Sequence, residues 1–460
     1  MERWHGLRIL ILGAARQGLA LARFAVARGA VVTLNDQRPV DQMQTVIKSL
    51  EGLPVRWALG GHPFDLLKET DLVCLSGGIP LDLPIVQEAA RRGLLLTNDT
   101  QIFLEHVQSP VIGITGSAGK TTTTTLVGRM AQAGLPPPGR VWVGGNIGQP
   151  LIEYVDQIKK DDLVVLELSS FQLEQMSLSP HLAAILNITP NHLDRHGTLA
   201  AYTAAKARIL DFQHPDDVAI LGHDDPGAWG LAHRVKGHLV AFGLAPLPTD
   251  LRGAYAQQGS LYLRDVSGDQ KIVARKDILL RGDHNLLNVL AACSIIHAAG
   301  LSLEAMQAGI HGFSGVAHRL EFIGSVRGAA WYNDSIATAP ERTLAAVRSF
   351  TEPLVLLIGG RDKKLPWESL AEAVRERVDH VIVFGEAAEK IAQALGERNP
   401  GKRPYTLDYC GGLEEAVQTA ARIAEPGDVV LLSPGGTSFD EFKDFEERGE
   451  CFRKWMKQLT

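Results

Sequence analysis

The chain has 460 residues, which at about 150 residues per domain predicts three domains. Hydrophobic residues make up 45% and charged residues 21% of the chain, a balance that excludes a disordered chain, a collagen-like fibre and a coiled-coil rod. The net charge of −6 argues against a general nucleic-acid or membrane binder, but it leaves room for local basic sites that bind small anions.

The cysteines argue for a reducing compartment. Cys74, Cys293, Cys410 and Cys451 are too scattered to predict a zinc site or a disulfide framework, so we expect the cytoplasm. The N-terminal apolar run breaks at Gly13, which predicts a strand and not a signal peptide. No apolar run approaches the roughly 18 residues of a membrane span, and we expect no membrane insertion.

Short Val, Ile and Leu runs alternate with Ala-rich stretches along most of the chain. This pattern predicts α/β layers built on parallel sheets. The first segment ends near residue 108, and a helix is predicted over 19–28. Its strands are predicted at 8–13, 31–36, 72–78 and 94–99.

The second segment opens with a strand at 110–116 and runs to about residue 315. Further strands are predicted at 163–170 and 183–189. Between 217 and 281 the pattern changes to short alternating strands, which we interpret as additions to the same domain. An amphipathic helix is predicted over 282–300, with Asp283 or Asn285 near its N-terminal cap.

The third segment begins near residue 317 and repeats the pattern of an apolar strand followed by a glycine turn. Its strands are predicted at 331–335, 353–360, 380–385 and 428–436. The predicted domains are therefore 1–108, 109–315 and 316–460.

The segment TGSAGKTT (115–122) follows a predicted strand and opens a helix, which is the context of a phosphate-binding loop. Gly116 and Gly119 allow backbone N–H groups to approach a phosphate, Lys120 supplies a cation and Thr121 a hydroxyl for magnesium. The strict GxxxxGK spacing fails by one residue, because Gly113 lies six residues before Gly119. The alternative is an ordinary glycine-rich turn with an exposed lysine.

A second glycine-containing turn, GAARQG (13–18), followed by Asp36, is a weaker nucleotide signal. Ala15 replaces the middle glycine of a dinucleotide fingerprint, while Asp36 lies close to the distance expected for a ribose contact. A nucleotide-type ligand and a purely structural turn both remain open.

Three polar residues follow buried strands or lie on the next helix. Glu167 ends a strand near the phosphate loop, where a carboxylate suits magnesium. His192 has either a structural role or a role in binding metal or phosphate, and Lys206 taken alone predicts a solvated lysine. We expect His181 and His196 to be surface residues.

Taken together, these motifs resemble those of the Mur ligase family over essentially the whole chain. The segments that carry the resemblance are TGSAGKTT, VGGNIG (143–148), ELSSFQLE (167–174), NITPNHLDRHG (187–197), AAKARI (204–209), GDHNLLN (282–288), AHRLE (317–321), NDSIATAP (333–340) and LSPGGTSFDEFKDFEERG (432–449). ELSSFQLE and SFDEFKDFEERG are similar to segments of the glutamate-adding members. The resemblance implies an α/β fold with a Rossmann-like N-terminal domain for UDP, a central P-loop ATPase-type domain with a parallel sheet plus extra strands, and a Rossmann-like C-terminal domain for glutamate.

The resemblance also implies roles for individual residues. The residues implied in catalysis are Lys120, Asn146, Glu167, His192 and Lys206. The residues implied in ATP binding are Gly116, Gly119, Lys120, Thr121, Thr122, Asn285, Arg319 and Asp334. The residues implied in holding two magnesium ions are Thr121, Glu167, His192 and Lys206, the last as a carbamate. The residues implied in binding UDP-N-acetylmuramoyl-L-alanine are Arg16, Gln17, Asp36, Arg38, Ser76, Gly78 and Asn146. The residues implied in binding glutamate are Thr338, Lys363, Ser438 and Phe445.

The activity implied is ATP-dependent addition of D-glutamate to UDP-N-acetylmuramoyl-L-alanine through an acyl-phosphate, in peptidoglycan precursor synthesis, by a monomer. Ile336 stands where many members of the family have lysine, so addition of L-glutamate to the same acceptor is an alternative. Ala15 and Arg361 are milder departures from the pattern. Two rivals of other classes are a nicotinamide-dependent oxidoreductase, which leaves the phosphate loop unexplained, and a non-catalytic nucleotide-binding regulator.

Overall fold

The computed structural model describes residues 4–363, 365–396 and 401–459. Within this part of the chain, three β-sheets alternate with helices, which confirms the predicted α/β class. The sheets contain five, nine and six strands in chain order. No helix among the described residues is long and apolar enough to cross a bilayer.

The first sheet is entirely parallel, with the strand order β3-β2-β1-β4-β5. Its helices and strands are β1 (Arg8–Leu12), α1 (Arg16–Ala27), β2 (Val31–Asp36), α2 (Val40–Lys48), β3 (Val55–Leu59), β4 (Leu72–Leu75), α3 (Pro84–Arg91), β5 (Leu95–Thr97) and α4 (Asp99–His106). Helix α1 begins three residues earlier than predicted, at Arg16, directly after the glycine turn. The continuous apolar sequence of β1 is buried from Ile9 onward, as expected for a central parallel strand.

The second sheet has the order β14-β13-β12-β11-β10-β9-β6-β8-β7. Its helices and strands are β6 (Val111–Thr115), α5 (Lys120–Gly134), β7 (Val141–Gly145), β8 (Leu163–Glu167), α6 (Ser170–Leu173), β9 (Leu182–Ile185), α7 (Leu193–His196), α8 (Leu199–Asp211), β10 (Val218–Gly222), α9 (Pro226–Trp229), β11 (His238–Gly243), β12 (Arg252–Gln257), β13 (Ser260–Asp265), β14 (Gly268–Ala274), α10 (Asp283–Ala298) and α11 (Leu303–Ile310). The strands between 217 and 281 extend this same sheet. The β12–β13 and β13–β14 pairs are antiparallel, and the other pairs that these strands form are parallel.

The third sheet has the order β15-β16-β20-β17-β18-β19 and is parallel except for the β15–β16 pair. Its helices and strands are β15 (Glu321–Val326), β16 (Ala329–Asn333), α12 (Pro340–Val347), β17 (Leu354–Gly359), α13 (Glu368–Arg377), β18 (His380–Phe384), α14 (Ala388–Leu395), β19 (Thr406–Cys410), α15 (Leu413–Ile423), β20 (Val429–Gly435) and α16 (Phe445–Lys457).

The chain divides into two compact units. The first contains the chain up to Ile278 together with Asp283–Gly312, so the first two sheets belong to one unit. The second contains the four residues Leu279–Gly282 and the chain from Phe313 onward, with the third sheet. Buried apolar side chains pack against all three sheets, and one cluster is continuous across the first two, as α/β layers require.

Within the first unit, the start of α4 is hydrogen-bonded to the segment that follows β8. The Asn98 amide donates to the carbonyl of Gln172 (2.8 Å), and the Gln172 amide donates to the Thr100 hydroxyl (2.8 Å). All three side chains are buried. These bonds connect the elements around the first sheet (β1 to α4, called here the first sheet domain) to the segment after Glu167, which belongs to the elements around the second sheet (β6 to α11, the second sheet domain).

Candidate active site

The predicted phosphate loop lies between β6 and α5, at the carboxyl end of a central strand. Gly119 has a φ of +83° and directly precedes α5, a helix of 15 residues whose first N–H groups and dipole favour an anion. Asn187 closes the loop from the end of β9, since its side chain accepts from Ala118 N (2.8 Å) and donates to Ala118 O (3.1 Å). Thr122 is buried in the first turn of α5.

A carboxylate and a hydroxyl meet at the ends of two neighbouring strands. The Thr121 hydroxyl donates to Glu167 Oε2 (2.8 Å), and the Asn146 amide donates to Glu167 Oε1 (3.0 Å). Gly145 has a φ of +94°, and a Cβ there would lie 2.3 Å from the Glu167 carbonyl oxygen. Only glycine therefore permits Asn146 to turn onto Glu167.

Two lysines share one backbone carbonyl beside this carboxylate. Lys120 Nζ and Lys206 Nζ each donate to Gly116 O (2.9 Å), and Lys206 Nζ also donates to Thr115 Oγ1 (3.2 Å). Lys206 is 1% exposed, so the expectation of a solvated lysine from the local sequence alone is wrong. Burial, together with the charge of Lys120, lowers the pKa of Lys206 well below its usual value, while Glu167 opposes this.

The donor set at this edge fits magnesium. Thr121 and Glu167 offer hard oxygen ligands, the kind that magnesium prefers. In the described ranges, no group of three or more His, Cys, Asp or Glu side chains could hold a metal ion unaided. Magnesium usually keeps water and phosphate ligands, so a hydroxyl and a carboxylate beside a phosphate loop suffice as the protein's share.

An aromatic cluster surrounds the loop that carries His192. The His192 ring lies 5.1 Å from the Phe171 ring and 6.5 Å from the Tyr202 ring, and His192 itself has a φ of +53°. Tyr202 donates to Ser117 Oγ (3.1 Å) and has the Lys206 ammonium 4.8 Å from its ring centre. The cluster thus connects the His192 loop to the phosphate loop and to Lys206.

His196, predicted as a surface residue, is partly exposed but makes specific contacts. Its ring stacks on Phe171 at 5.2 Å, and its Nε2 is 3.0 Å from the Ser170 hydroxyl. His181 is about half exposed and contacts Asp217. Short-range pattern could not separate the two histidines, because the neighbours of His196 come from a different loop.

In the first sheet domain, Asp36 holds the glycine turn in place. Its carboxylate accepts from Ala14 N (2.9 Å) and from the Arg38 guanidinium through both oxygens (2.8 Å each). The Arg38 hydrogen bonds lower the pKa of Asp36 to about 2. Arg16 Nη2 reaches the carbonyl of Asn146 (3.5 Å). A ribose contact by Asp36 stays a prediction, and its observed partners are protein groups.

The other residues predicted for the UDP end lie around the same turn. A Cβ on Gly13 would be 3.0 Å from the Cβ of Ser76, and a Cβ on Gly77 would be 3.0 Å from Oε1 of Gln17. The backbone of Gly78 accepts a hydrogen bond from Arg195 (3.0 Å). The turns after β1 and β4 therefore lie side by side at the carboxyl edge of the sheet.

In the second unit, Asp334 directly follows strand β16, and its carboxyl is buried. It accepts from Leu320 N (3.1 Å) and from the Ser433 hydroxyl (2.8 Å). Burial raises the pKa of Asp334 to about 7, while these bonds and the charges of Arg319 and Arg342 oppose the rise. Arg319 and Asp334 are thus close together, which is necessary if both bind one nucleotide as predicted.

The residues predicted to bind glutamate lie on loops after β16, β17 and β20. Lys363 Nζ donates to Thr338 Oγ1 (3.3 Å). Ser438 is buried after β20, and Phe445 begins α16, where its carbonyl accepts from the Ser335 hydroxyl (2.8 Å). These contacts bring the loops of the three strands together at one edge of the third sheet.

Two residues that were not predicted support these sites, Asn288 at the phosphate loop and Arg448 at the loops of the third sheet. Asn288 on α10 accepts from Thr123 (3.4 Å) and donates to Asn285 (3.2 Å), and it packs beneath Gly119. Arg448 is 1% exposed and donates to Ser335 O (2.8 Å) and to Gly436 O. The spacing of Asn288 three residues after Asn285 placed both on one helix face, and this was the available signal.

Known proteins match the chain along its whole length. The model of the MurD-like N-terminal domain of Mur ligases matches residues 7–97, that of the Mur ligase middle domain residues 114–296, and that of the Mur ligase glutamate ligase domain residues 318–436. A UDP-N-acetylmuramoylalanine–D-glutamate ligase of Pelotomaculum thermopropionicum is 40% identical over 98% of both chains. The chain belongs to the Mur ligase family. Mur ligases are ATP-dependent ligases that form amide bonds in peptidoglycan synthesis, which confirms the predicted enzyme class.

Other members of the Mur ligase family give the same result. The enzymes of the same name from Symbiobacterium thermophilum and Koribacter versatilis are 38% and 37% identical, over 98% and 99% of this chain and 98% of each relative. Among solved structures, the MurF ligase of Thermotoga maritima in complex with ADP aligns with a TM-score of 0.57 at 18% identity, over 99% of this chain and 96% of that one. The structural likeness confirms the fold. Because the chain belongs to the Mur ligase family, the oxidoreductase alternative loses its support.

Proposed function

We propose that this Mur ligase adds D-glutamate to UDP-N-acetylmuramoyl-L-alanine at the expense of ATP. The observation that carries the proposal is a phosphate loop beside the Thr121–Glu167 pair, in a chain that resembles D-glutamate ligases from end to end. A carboxylate does not react with an amine at neutral pH without activation. The acceptor carboxylate therefore takes the terminal phosphoryl group of ATP, and the amine of glutamate then displaces phosphate from the acyl-phosphate.

The phosphate loop supports the first step electrostatically. The N–H groups at the start of α5 and the Lys120 ammonium would offset the charge of the transferred phosphoryl group. Thr121 and Glu167 would hold magnesium, which when bound neutralises charge on the phosphates. Asn146 fixes the Glu167 carboxylate and, through its carbonyl, meets Arg16 of the UDP side.

Lys206 is proposed to carry a carbamate that, with His192, holds a second magnesium ion. Its lowered pKa supplies a neutral amine, which adds to carbon dioxide and releases one proton. We expect Lys206→Ala to lose activity that added short carboxylates partly restore. Full activity without any addition would remove the carbamate from the proposal.

The remaining assignments are those that the resemblance implies. We propose that Arg16, Gln17, Ser76 and the backbone of Gly78 hold the UDP end of the acceptor, with Arg38 and Asp36 shaping that turn. Asn285, Arg319 and Asp334 are proposed to bind the nucleotide of ATP. Thr338, Lys363, Ser438 and the backbone of Phe445 are proposed to bind glutamate, with Lys363 as the cation for one carboxylate.

The assay that tests the proposal measures phosphate release with ATP, magnesium and UDP-N-acetylmuramoyl-L-alanine. Its arms are D-glutamate, L-glutamate and no amino acid, and Lys120→Ala is the inactive control. We expect release with D-glutamate alone. Release with L-glutamate alone would overturn the assignment of D-glutamate as the substrate. Ile336, an apolar residue in the loop predicted to bind glutamate, favours this alternative. Absence of release in every arm would favour a nucleotide-binding regulator.

A cytoplasmic location and a monomeric state stay predictions. The four cysteines are free thiols in the structure, which agrees with a reducing compartment. Light scattering of the purified protein tests the oligomeric state, and a stable dimer would contradict the second prediction.

A further inference from the structure

Arg195 lies in the segment NITPNHLDRHG but has no proposed role, and it bridges the first two sheet domains. Its guanidinium donates to Gly78 O (3.0 Å) and, through the other terminal nitrogen, to Ile79 O. Both acceptors are backbone carbonyls of the turn after β4, which holds residues proposed to bind the UDP end of the acceptor. Arg195 itself follows His192 by three residues, in the second sheet domain.

The same guanidinium rests on an aromatic ring of the metal-site loop. Its central carbon lies 4.1 Å from the centre of the Phe171 ring, and Phe171 follows Glu167 by four residues. The rings of His192 and His196 contact Phe171 as well, at 5.1 and 5.2 Å. Arg195, in the segment after His192, thus contacts both the turn after β4 (the acceptor turn) and the segment after Glu167.

We propose that Arg195 is a positioning residue that makes acceptor binding depend on the correct arrangement of the Glu167 and His192 loops. The proposal deepens the proposed function and rests on it. A planar guanidinium can donate to two carbonyls and stack on a ring at once, whereas a lysine ammonium is a point charge that cannot reproduce this geometry. Exposed ion pairs between the same domains, such as Arg23 with Glu153, contribute little to holding that geometry.

The chain offers a matched control in Arg208. Its guanidinium also donates to backbone carbonyls, those of Leu173 (3.2 Å) and Met176, and lies 5.1 Å from the centre of the Phe212 ring. All of these partners are within the second sheet domain. Arg208→Ala therefore removes the same chemistry without touching the acceptor turn.

The experiment compares steady-state kinetics and thermal stability of Arg195→Ala, Arg195→Lys and Arg208→Ala. We expect Arg195→Ala to raise the KM for UDP-N-acetylmuramoyl-L-alanine at least about tenfold and to lower kcat, while the KM for ATP changes less than about twofold. Arg195→Lys should recover only part of the loss. Guanidinium or methylguanidinium, well below denaturing concentrations, should lower the acceptor KM of Arg195→Ala and leave Arg208→Ala unaffected.

A purely structural role would appear as equal losses for Arg195→Ala and Arg208→Ala, with every KM shifted alike and no rescue by guanidinium. That result, or an unchanged acceptor KM in a folded Arg195→Ala, would overturn the proposal. The wild-type assay separates this failure from failure of the proposed function, because product formation by the wild type does not depend on the role of Arg195.

Discussion

At the scale of single residues, Asp334 combines burial with a proposed ligand contact. The carboxyl is 5% exposed and accepts hydrogen bonds from Leu320 N and Ser433, yet burial still raises its pKa to about 7. In the unfolded chain the pKa of an aspartate is close to 3.8. Between these values the unfolded chain releases a proton that the folded chain keeps, so the free energy of unfolding falls as pH rises through this window.

We therefore expect Asp334→Asn to raise the free energy of unfolding of the protein above pH 7, while it weakens nucleotide binding. Each pKa unit corresponds to about 1.4 kcal/mol, so the gain at pH 8 is at most on the order of 4 kcal/mol. Near pH 4 the variant and the wild type should differ little. Denaturant unfolding at a series of pH values checks this, and a difference that is independent of pH would contradict it.

Ser433→Ala provides the control for the cause of this pH dependence. The Ser433 hydroxyl donates to the Asp334 carboxylate and thereby opposes the rise of its pKa. Its removal should move the upper end of the pH window to higher values. An unchanged window would show that another group titrates.

Lys120, Thr121 and Glu167 could be found from sequence because they end or follow buried strands, whereas Lys206 lies within α8 and its role came only from the resemblance. Parallel strands bring their carboxyl ends to one edge, so Lys120, Thr121 and Glu167 had to lie close together, and they do. Their roles stay predictions. Arg195 had no such signal, since the Gly78 carbonyl that it contacts is 117 positions away in the chain. Asn288 showed only its spacing from Asn285, and its contact with Thr123 spans 165 positions.

At the scale of elements, the strands that the pattern missed are mostly edge strands. β3, β7, β15 and β19 each lie at the end of a sheet and are only partly buried. Central strands are covered on both faces and read as continuous apolar runs, whereas an edge strand needs fewer apolar residues. Within the stretch of expected short strands, the apolar runs HLVAFG, GSLYLRD and QKIVARK correspond to β11, β13 and β14, whereas β10 and β12 were not placed individually.

Gly119, at the junction between the phosphate loop and α5, holds the loop close to α10. A Cβ at this position would lie 2.1 Å from Asn288 Oδ1, and the φ of +83° disfavours any side chain by roughly 1–2 kcal/mol. We expect Gly119→Ala to reduce ADP formation at least about tenfold by displacing the loop from α10. Coupled-enzyme detection of ADP measures the loss.

Two controls separate the clash from the backbone strain. Gly300 has a φ of +73° with nothing within 4 Å of its Cβ position, so Gly300→Ala should cost stability and leave ADP formation unchanged. Asn288→Ala added to Gly119→Ala removes the clash and should restore part of the activity. If Gly119→Ala is as active as Gly300→Ala, the loop is not held by this contact.

At the scale of the whole molecule, four residues before α10 belong to the second unit. Arg281 donates to the Tyr332 hydroxyl (2.6 Å), pairs with Glu352 and lies over the rings of Tyr332 and Phe350. Its partners come 51 and 71 residues later, so no local pattern could assign the segment. The predicted domain boundaries at 108/109 and 315/316 stay predictions.

We expect Arg281→Ala to lower the stability of the second unit by about 1–2 kcal/mol, through loss of charged hydrogen bonds and ring contacts. Arg361→Ala is the control, because its pairing with Glu386 is about half exposed and contributes little. Chemical denaturation followed by the fluorescence of Trp331 and Trp367, with the other tryptophans replaced, reports on this unit. Equal effects of the two substitutions would contradict the assignment.

The chain crosses between its two units three times, after Ile278, after Gly282 and after Gly312. This has a consequence for gene recombination between relatives. A single exchange point near residue 313 would combine Arg281 of one parent with the Tyr332 and Glu352 positions of the other. Functional hybrids should therefore be enriched for genes in which codons 279–282 and the codons from 313 onward come from the same parent. The second unit is thus encoded by two separated parts of the gene, which must be inherited together.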